Sequence, residues 1–373
     1  MSRAPLLPVL VLCAIGAIAA ATLPFAHVAP NRLLSGIAQR PHPWLLAALW
    51  GALAVTAWPR APRGLAIGCV ALVIVALPWC LAHEATIWLA GARATTRVQA
   101  GAGFWTMWLA AGLLLLDRLR GVGRGWQVVV WVAVTGAVVG YAVAGGFDGI
   151  AVVREFHAQH DAFVEALFTH LRLCVLTLSL ALLIGAPLGL RTWRTRRGDG
   201  VLLGVLAFLQ TVPSLALFAL LIGPFAWIAT RWPVLGAWGF GGTGAAPAVF
   251  ALVLYALLPV VRYTIGGLEA VPADARDAAR GLGMSRWQVL VRVQLPLGWP
   301  VLLAGLRIVA VQTIGLAAVA ALIGAGGLGR FVFLGIGQGA TDMVLLGTLA
   351  IIGLALLVDL LFQGVLALTE RRA

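Results

Sequence analysis

The sequence predicts an all-α polytopic membrane protein with about ten transmembrane helices, and three observations predict it. Of 373 residues, 62% are apolar and only 10% charged, with a mean hydropathy of +1.01, which excludes an ordinary soluble globule. The apolar residues fall into runs of roughly 17 to 25 bounded by charges or turn residues, the length a helix needs to cross a bilayer. The 26 basic residues are all Arg and are scattered between those runs. A net charge of +13 on such a pattern sets membrane orientation and gives no nucleic-acid surface.

In chain order, the N-terminal half offers spans at Leu6–Leu23, Pro43–Trp58, Gly64–Leu81, Gly101–Leu116 and Trp126–Val143. The C-terminal half offers Phe163–Leu188, Val201–Ile222, Ala246–Val261, Val301–Ile323 and Met343–Leu366. A polar boundary, GGFDGIAVVREFHAQH, separates the halves. It divides the chain into an N-terminal membrane extension, residues 1–160, and a second domain, residues 161–373.

If Arg3 lies in the cytoplasm, so do Arg60, Arg63, Arg118, Arg120, Arg124, Arg191, Arg194, Arg196, Arg197, Arg371, Arg372 and the central loop 268–296. The opposite side then holds only Arg32, Arg40, Arg93, Arg97, Arg154, Arg231 and Arg330. This bias predicts two cytoplasmic termini. The first run is read as a retained span in preference to a cleaved signal. Cys13, Cys69, Cys80 and Cys174 lie in apolar stretches without CxxC spacing, so neither a disulfide framework nor a metal site is expected.

The longest polar interruption in the second domain is residues 268–296. Pro272 suits the first turn of a helix, Asp274 and Asp277 favour its N-terminal end, and Gly281 and Gly283 can close it near Leu282. Ser285 with Gln288 forms a capping-box pattern that starts a second short helix, which Leu295-Pro296 is expected to stop. Ala275, Ala278 and Ala279 at i, i+3 and i+4 give the first helix a flat methyl face suited to docking on another protein.

Polar residues at membrane depth concentrate in the second domain. Gln210, Thr211, Ser214, Gln312 and Thr313 are the candidates for a translocation pathway, with interhelical hydrogen bonding as the plainer alternative. Arg307 and Asp359 are expected to snorkel to the cytoplasmic face. Trp227, Trp232 and Trp238 are expected to anchor at the outer interface. The glycine-rich run Leu322–Asp342 suits a gate or a packing corner equally. His157, His160 and His170 read as solvated outer residues. No Walker loop is possible without Lys, and neither HExxH nor GxSxG occurs, so no enzymatic activity, cofactor or metal is expected on this chain.

Asp277-Ala278-Ala279, then Gly283, then Val293 and Leu295-Pro296, resembles the EAA loop of permease subunits of ATP-binding-cassette importers, with Asp for Glu and Val for Ile. The likeness runs from about Glu165 to the C-terminus. The segments Thr169–Leu190, Leu209–Phe225 and Thr313–Ile336 resemble glycine betaine and other osmoprotectant permeases, most specifically in QTVPSLAL and IGAGGLG. The five additional N-terminal spans are similar to a longer subclass of these permeases.

The resemblance implies a bacterial inner-membrane importer permease whose C-terminal five spans form a binding-protein-dependent permease domain. Its implied partners are a pair of ATPase subunits that bind the ATP, a second permease, identical or related, and an external solute-binding protein. Asp277, Ala278, Ala279, Gly283, Leu295 and Pro296 would form the ATPase-coupling loop. Three alternatives stay open: an importer for an amino acid, a sulfonate or another small solute, an inverted-repeat secondary transporter of five plus five spans, and a membrane-embedded enzyme.

Overall fold

The protein is described by a computed structural model covering residues 6–32, 34, 36–58, 61–195, 199–237 and 239–370. Arg3, Arg60, Arg196, Arg197, Trp238, Arg371 and Arg372, which entered the reading of orientation and anchoring, lie outside the described residues. Two compact units form: Met1–Ala158 together with Gly335–Met343, and Gln159–Leu334 together with Val344–Ala373.

The first unit is built from helices α1 (Leu6–Thr22), α2 (Pro43–Ala57), α3 (Arg63–Leu89), α4 (Ala102–Leu119), α5 (Arg124–Val143) and α6 (Ala151–Ala158). Its core is a helical seam. Val70, Val73, Ile74, Leu77 and Leu81 of α3 repeat at three- and four-residue spacing and bury themselves with Phe104, Met107, Ala111, Leu114 and Leu115 of α4. The unit also holds a small antiparallel sheet, unexpected from the sequence, of order β2-β1-β3, made of β1 (Ala26–Ala29), β2 (Ile37–Gln39) and β3 (Arg97–Ala100). Strands of three or four residues carry too few alternations to register as a period-two pattern. The pairing satisfies backbone groups of the connections between helices, and Phe25 beside it sits edge-on to Phe104.

The second unit contains α7 (His160–Thr195), α8 (Asp199–Thr211), α9 (Ser214–Arg231), α10 (Pro233–Ala237), α11 (Ala245–Glu269), α12 (Ala273–Gly281), α13 (Arg286–Val289), α14 (Leu295–Val319), α15 (Gly329–Gln338) and α16 (Thr341–Glu370), the last two apart from the stretch assigned to the first unit. Helix α11 is its buried centre, packed against both α7 and α14. Small residues let these helices approach at backbone distance, the usual device where lipid removes the hydrophobic drive for association. Gly185 and Gly189 of α7 lie against Val260 and Thr264 of α11, so the two helices run parallel. Gly267 and Tyr263 of α11 meet Gly298 and Gly305 of α14, so that pair is antiparallel. Arg191 and Arg194, near the end of α7, therefore lie on the same side as the loop joining α11 to α14.

Eight helices among the described residues are long and apolar enough to cross a membrane, fewer than the expected ten. Helix α1 has 17 residues, α2 has 15 and α8 has 13, all short of the roughly 20 a bilayer asks for. The expected span Val201–Ile222 is two helices. Pro213 lacks an N–H and crowds the preceding turn, so α8 ends at Thr211 and α9 begins at Ser214 with Pro213 as its N-cap.

The glycine-rich run is a packed corner. Gly324, Gly326 and Gly327 all adopt φ near +80°, while Ala325, Leu328 and Phe331 are buried. Beneath Gly327 lies His170, fully buried on α7 with Nε2 3.1 Å from the carbonyl of Ile314. This corrects the expectation of a solvated histidine: α7 begins at His160, ten residues before the point where its buried face carries His170. His157 and His160 are exposed, beside Asp148 and Asp161.

Candidate coupling site

The polar loop between α11 and α14 folds as an elbow of two short helices. Leu268 and Val271 are buried at its entrance and fix where it leaves α11. Pro272, at φ −54° and ψ 141°, caps α12, whose first turn carries Asp274 and last turn Arg280. Both charges complement the helix dipole.

The corner is a Schellman closure. The Gly283 N–H donates to the Arg280 carbonyl at 2.9 Å and the Met284 N–H to the Ala279 carbonyl at 3.2 Å. Gly283 stands at φ +80°, a conformation costly to a residue with a Cβ. Ser285 then opens α13 with both halves of the expected capping box: its backbone N–H donates to Gln288 Oε1 at 2.8 Å, and its Oγ accepts from the Gln288 N–H at 3.3 Å.

Leu295-Pro296 does not stop this helix. The chain widens into a π-turn at Leu290–Gln294, where the Leu295 N–H bonds back to the Leu290 carbonyl, and continues into α14. Pro296 falls in the first turn of α14, and the widened ring spares the carbonyl that a proline would otherwise strike.

The methyl face divides in two. Ala279 is buried against the rest of the unit, Ala275 is half-buried and Ala278 faces out. The anchoring face is thus Ala279, with Val289 and Leu290 also buried. The presented face carries Asp277, Ala278 and Gly283, and adds two residues that spacing did not reveal: Leu282 is 80% exposed and Trp287 66%. Asp277 pairs with Arg280 at 3.2 Å, both exposed, an ion pair of small energetic weight. Leu295 and Pro296 are exposed on the first turn of α14. An apolar pocket of about 430 Å³ adjoins the elbow, lined by Tyr263, Leu268, Leu290, Trp299 and Leu306 among others and by the exposed Trp287 itself.

The pathway candidates are held differently. Gln210 Nε2 donates to the Tyr255 carbonyl at 2.8 Å, and Tyr255 OH donates to the Val212 carbonyl at 2.5 Å, so the break between α8 and α9 is tied to α11. Thr211 is exposed and donates to the Phe208 carbonyl, and Ser214 is half-buried. On α14, Gln312 is exposed, whereas Thr313 is buried and donates to the Val309 carbonyl. Gln210, Thr211 and Thr313 thus all donate to helix backbone, and Thr211 and Gln312 are the two exposed at the surface of the unit.

Arg307 and Asp359, each expected to reach for the cytoplasmic face, meet one another. Arg307 of α14 grips Asp359 of α16 through two bonds, Nε to Oδ1 at 2.5 Å and Nη2 to Oδ2 at 3.0 Å, and Gln363 Nε2 donates to Asp359 Oδ2 at 2.6 Å. A bidentate pair compensates both charges, since each supplies hydrogen-bond partners to the other. The residues were visible in the sequence, but nothing in their spacing showed that they meet.

Residues 181–373 match the family described as binding-protein-dependent transport system inner membrane component. Residues 5–153 match the domain described as ABC transporter permease YehY, N-terminal domain. The chain is 41% identical over 196 residues to the osmoprotectant import permease protein OsmW of Salmonella typhimurium, covering 52% of this chain and 86% of that one. It is 35% identical over 209 residues to the carnitine transport permease protein OpuCB of Listeria monocytogenes, covering 56% and 88%. It is 32% identical over 221 residues to the choline transport system permease protein OpuBB of Bacillus subtilis, covering 59% and 93%. A helical unit with an exposed, doubly capped elbow and a family match over more than half the chain agree: the protein belongs to the binding-protein-dependent transport system inner membrane components, a transporter permease family.

Proposed function

We propose that this chain is the permease of an ATP-driven importer for osmoprotectants such as glycine betaine and related quaternary amines, seated in the bacterial inner membrane with both termini cytoplasmic. Residues 161–373 form the permease domain and residues 1–160 a membrane extension. The chain itself performs no catalysis and binds no cofactor. ATP is bound and hydrolysed by a partner ATPase pair, a second permease completes the pathway, and an external binding protein delivers the solute. The choice of solute rests on the relatives, whose names specify carnitine, choline and glycine betaine, all quaternary ammonium compounds.

One observation carries the coupling role: the elbow is rigid by its own bonds, through the closure at Gly283 and the box at Ser285, yet turns Asp277, Ala278, Leu282 and Trp287 outward. A segment so well capped and so little buried is built to be held by another protein. Asp277, Ala278, Gly283, Leu295 and Pro296 belong to the gripped face, while Ala279 secures α12 from behind. Gln210, Thr211, Ser214, Gln312 and Thr313 are the residues we assign to the solute pathway, with Thr211 and Gln312 the open ones.

The test is a pull-down of the solubilised protein, then glycine-betaine-stimulated ATP hydrolysis by whatever copurifies. Replacing Ala278 or Gly283 with Arg should abolish ATPase association and uptake while membrane insertion persists. Undiminished uptake in both variants would overturn the coupling role. Stimulation by an amino acid or a sulfonate, and none by glycine betaine, would move the assignment to another solute.

A further inference from the structure

In the chain, Gly335–Met343 joins α15 to α16, yet it packs within the first unit. There Asp342 is buried, its side chain 1% exposed, with Oδ2 3.4 Å from Nη1 of Arg97 on β3. The same Nη1 lies 2.6 Å from Oε2 of Glu155 on α6, whose side chain is 2% exposed. Arg32 reaches the other Glu155 oxygen at 3.6 Å.

This cluster is held from several directions. Arg154 of α6 donates to the carbonyls of Thr96 and Ala94 at 2.7 and 2.5 Å, which fixes α6 to the entrance of β3. Strand β3 is itself paired along β1. On the other side Ala340 and Met343 are buried, and the Ala340 N–H closes on the Gly335 carbonyl at 2.8 Å. A buried carboxylate is costly unless paired, and here Arg97 is the guanidinium both carboxylates share, so its loss takes that partner from Asp342 and leaves Glu155 with Arg32. Such an arrangement holds the connection in one place.

We propose that Arg97 is a positioning residue for transport: through Asp342 it fixes the start of α16, and this is the work of the sheet-bearing N-terminal unit. The inference rests on the importer function proposed above. The last span carries Asp359, partner of Arg307 on α14, so a fixed start to α16 gives the moving permease helices a stationary reference.

The assay is the full transporter, with its copurifying ATPase and binding protein, in membrane vesicles supplied with ATP and glycine betaine. Coupled uptake by the unsubstituted chain establishes the importer reading first, so failure there is separate from failure here. Arg97→Ala should lower the uptake rate at least ten-fold, retain ATPase association through the elbow, and raise the ATP hydrolysed per solute moved. Arg97→Lys, which keeps a cation beside Glu155 and Asp342, should recover uptake to within about three-fold. Asp342→Asn, close in volume, should reproduce the defect should Arg97→Ala not reach the membrane. Unchanged uptake in Arg97→Ala or Asp342→Asn would overturn the proposal. So would a parallel fall of uptake and hydrolysis, or a defect as deep in Arg97→Lys as in Arg97→Ala.

Discussion

The elbow at residues 272–289 and the helix contacts of α11, α14 and α16 are the two places where the second unit spends its special residues, and it spends them differently. In the elbow the polar groups are exposed, and shape comes from backbone closure: a proline cap, a glycine at positive φ, a serine box. Between the long helices the polar groups are sequestered, and shape comes from proximity: Gly298 against Gly267, Gly305 against Tyr263, Arg307 against Asp359. Exposed polarity can be altered at small cost to folding, whereas polarity or bulk at a helix contact cannot.

The largest effect that would sharpen this contrast is at Gly298. A Cβ there would collide with the Gly267 carbonyl oxygen, so Gly298→Val forces α11 and α14 apart and should cost about 3 kcal/mol or more. The protein should fail to accumulate in membranes, as measured by immunoblot of the membrane fraction. Normal levels would break the comparison at its strongest point.

Next is Arg307→Ala, which removes both bonds from Arg307 to Asp359. The cost should be roughly 1.5–3 kcal/mol, that of lost hydrogen bonds to a charged group, read as a fall in thermal midpoint in detergent. Removing both charges with Asp359→Ala should recover a substantial part of it.

Ser285→Ala deletes one half of the capping box and should cost about 1 kcal/mol. The smallest effect on folding is expected at Asp277→Ala, below about 0.5 kcal/mol, because its ion pair is exposed. The same substitution should reduce solute-stimulated ATP hydrolysis, and Asp277→Glu should sustain it. A large drop in thermal midpoint for Asp277→Ala would erase the distinction between the two regions.

These differences follow how far the sequence could be read. The elbow was legible because capping is local: Pro272, Gly283 and the pair Ser285 and Gln288 act within four residues of where they stand. The long apolar spans were legible because hydropathy is local too, and the importer family followed from motifs of the same kind.

What escaped depends on which helices become neighbours. Arg307 meets Asp359 across 52 positions, His170 meets Ile314 across 144, and Arg97 meets Asp342 across 245. Two errors were local and came from proline. Pro213 divided an apolar run that hydropathy alone joins, and Pro296 was absorbed by a π-turn where a terminus was expected.

The π-turn has a mechanical consequence. Because it carries α13 into α14 without interruption, the chain from Arg286 to Ile323 is one rod of 38 residues, roughly 55 Å long at the α-helical rise, against about 30 Å of hydrocarbon. Its length thus exceeds the hydrocarbon thickness by about 25 Å. A torque applied at Trp287 would reach the glycine corner at Gly324 through two irregular turns, the five-residue π-turn where the rod leaves the elbow and the tighter turn Ala320–Ile323 at its far end.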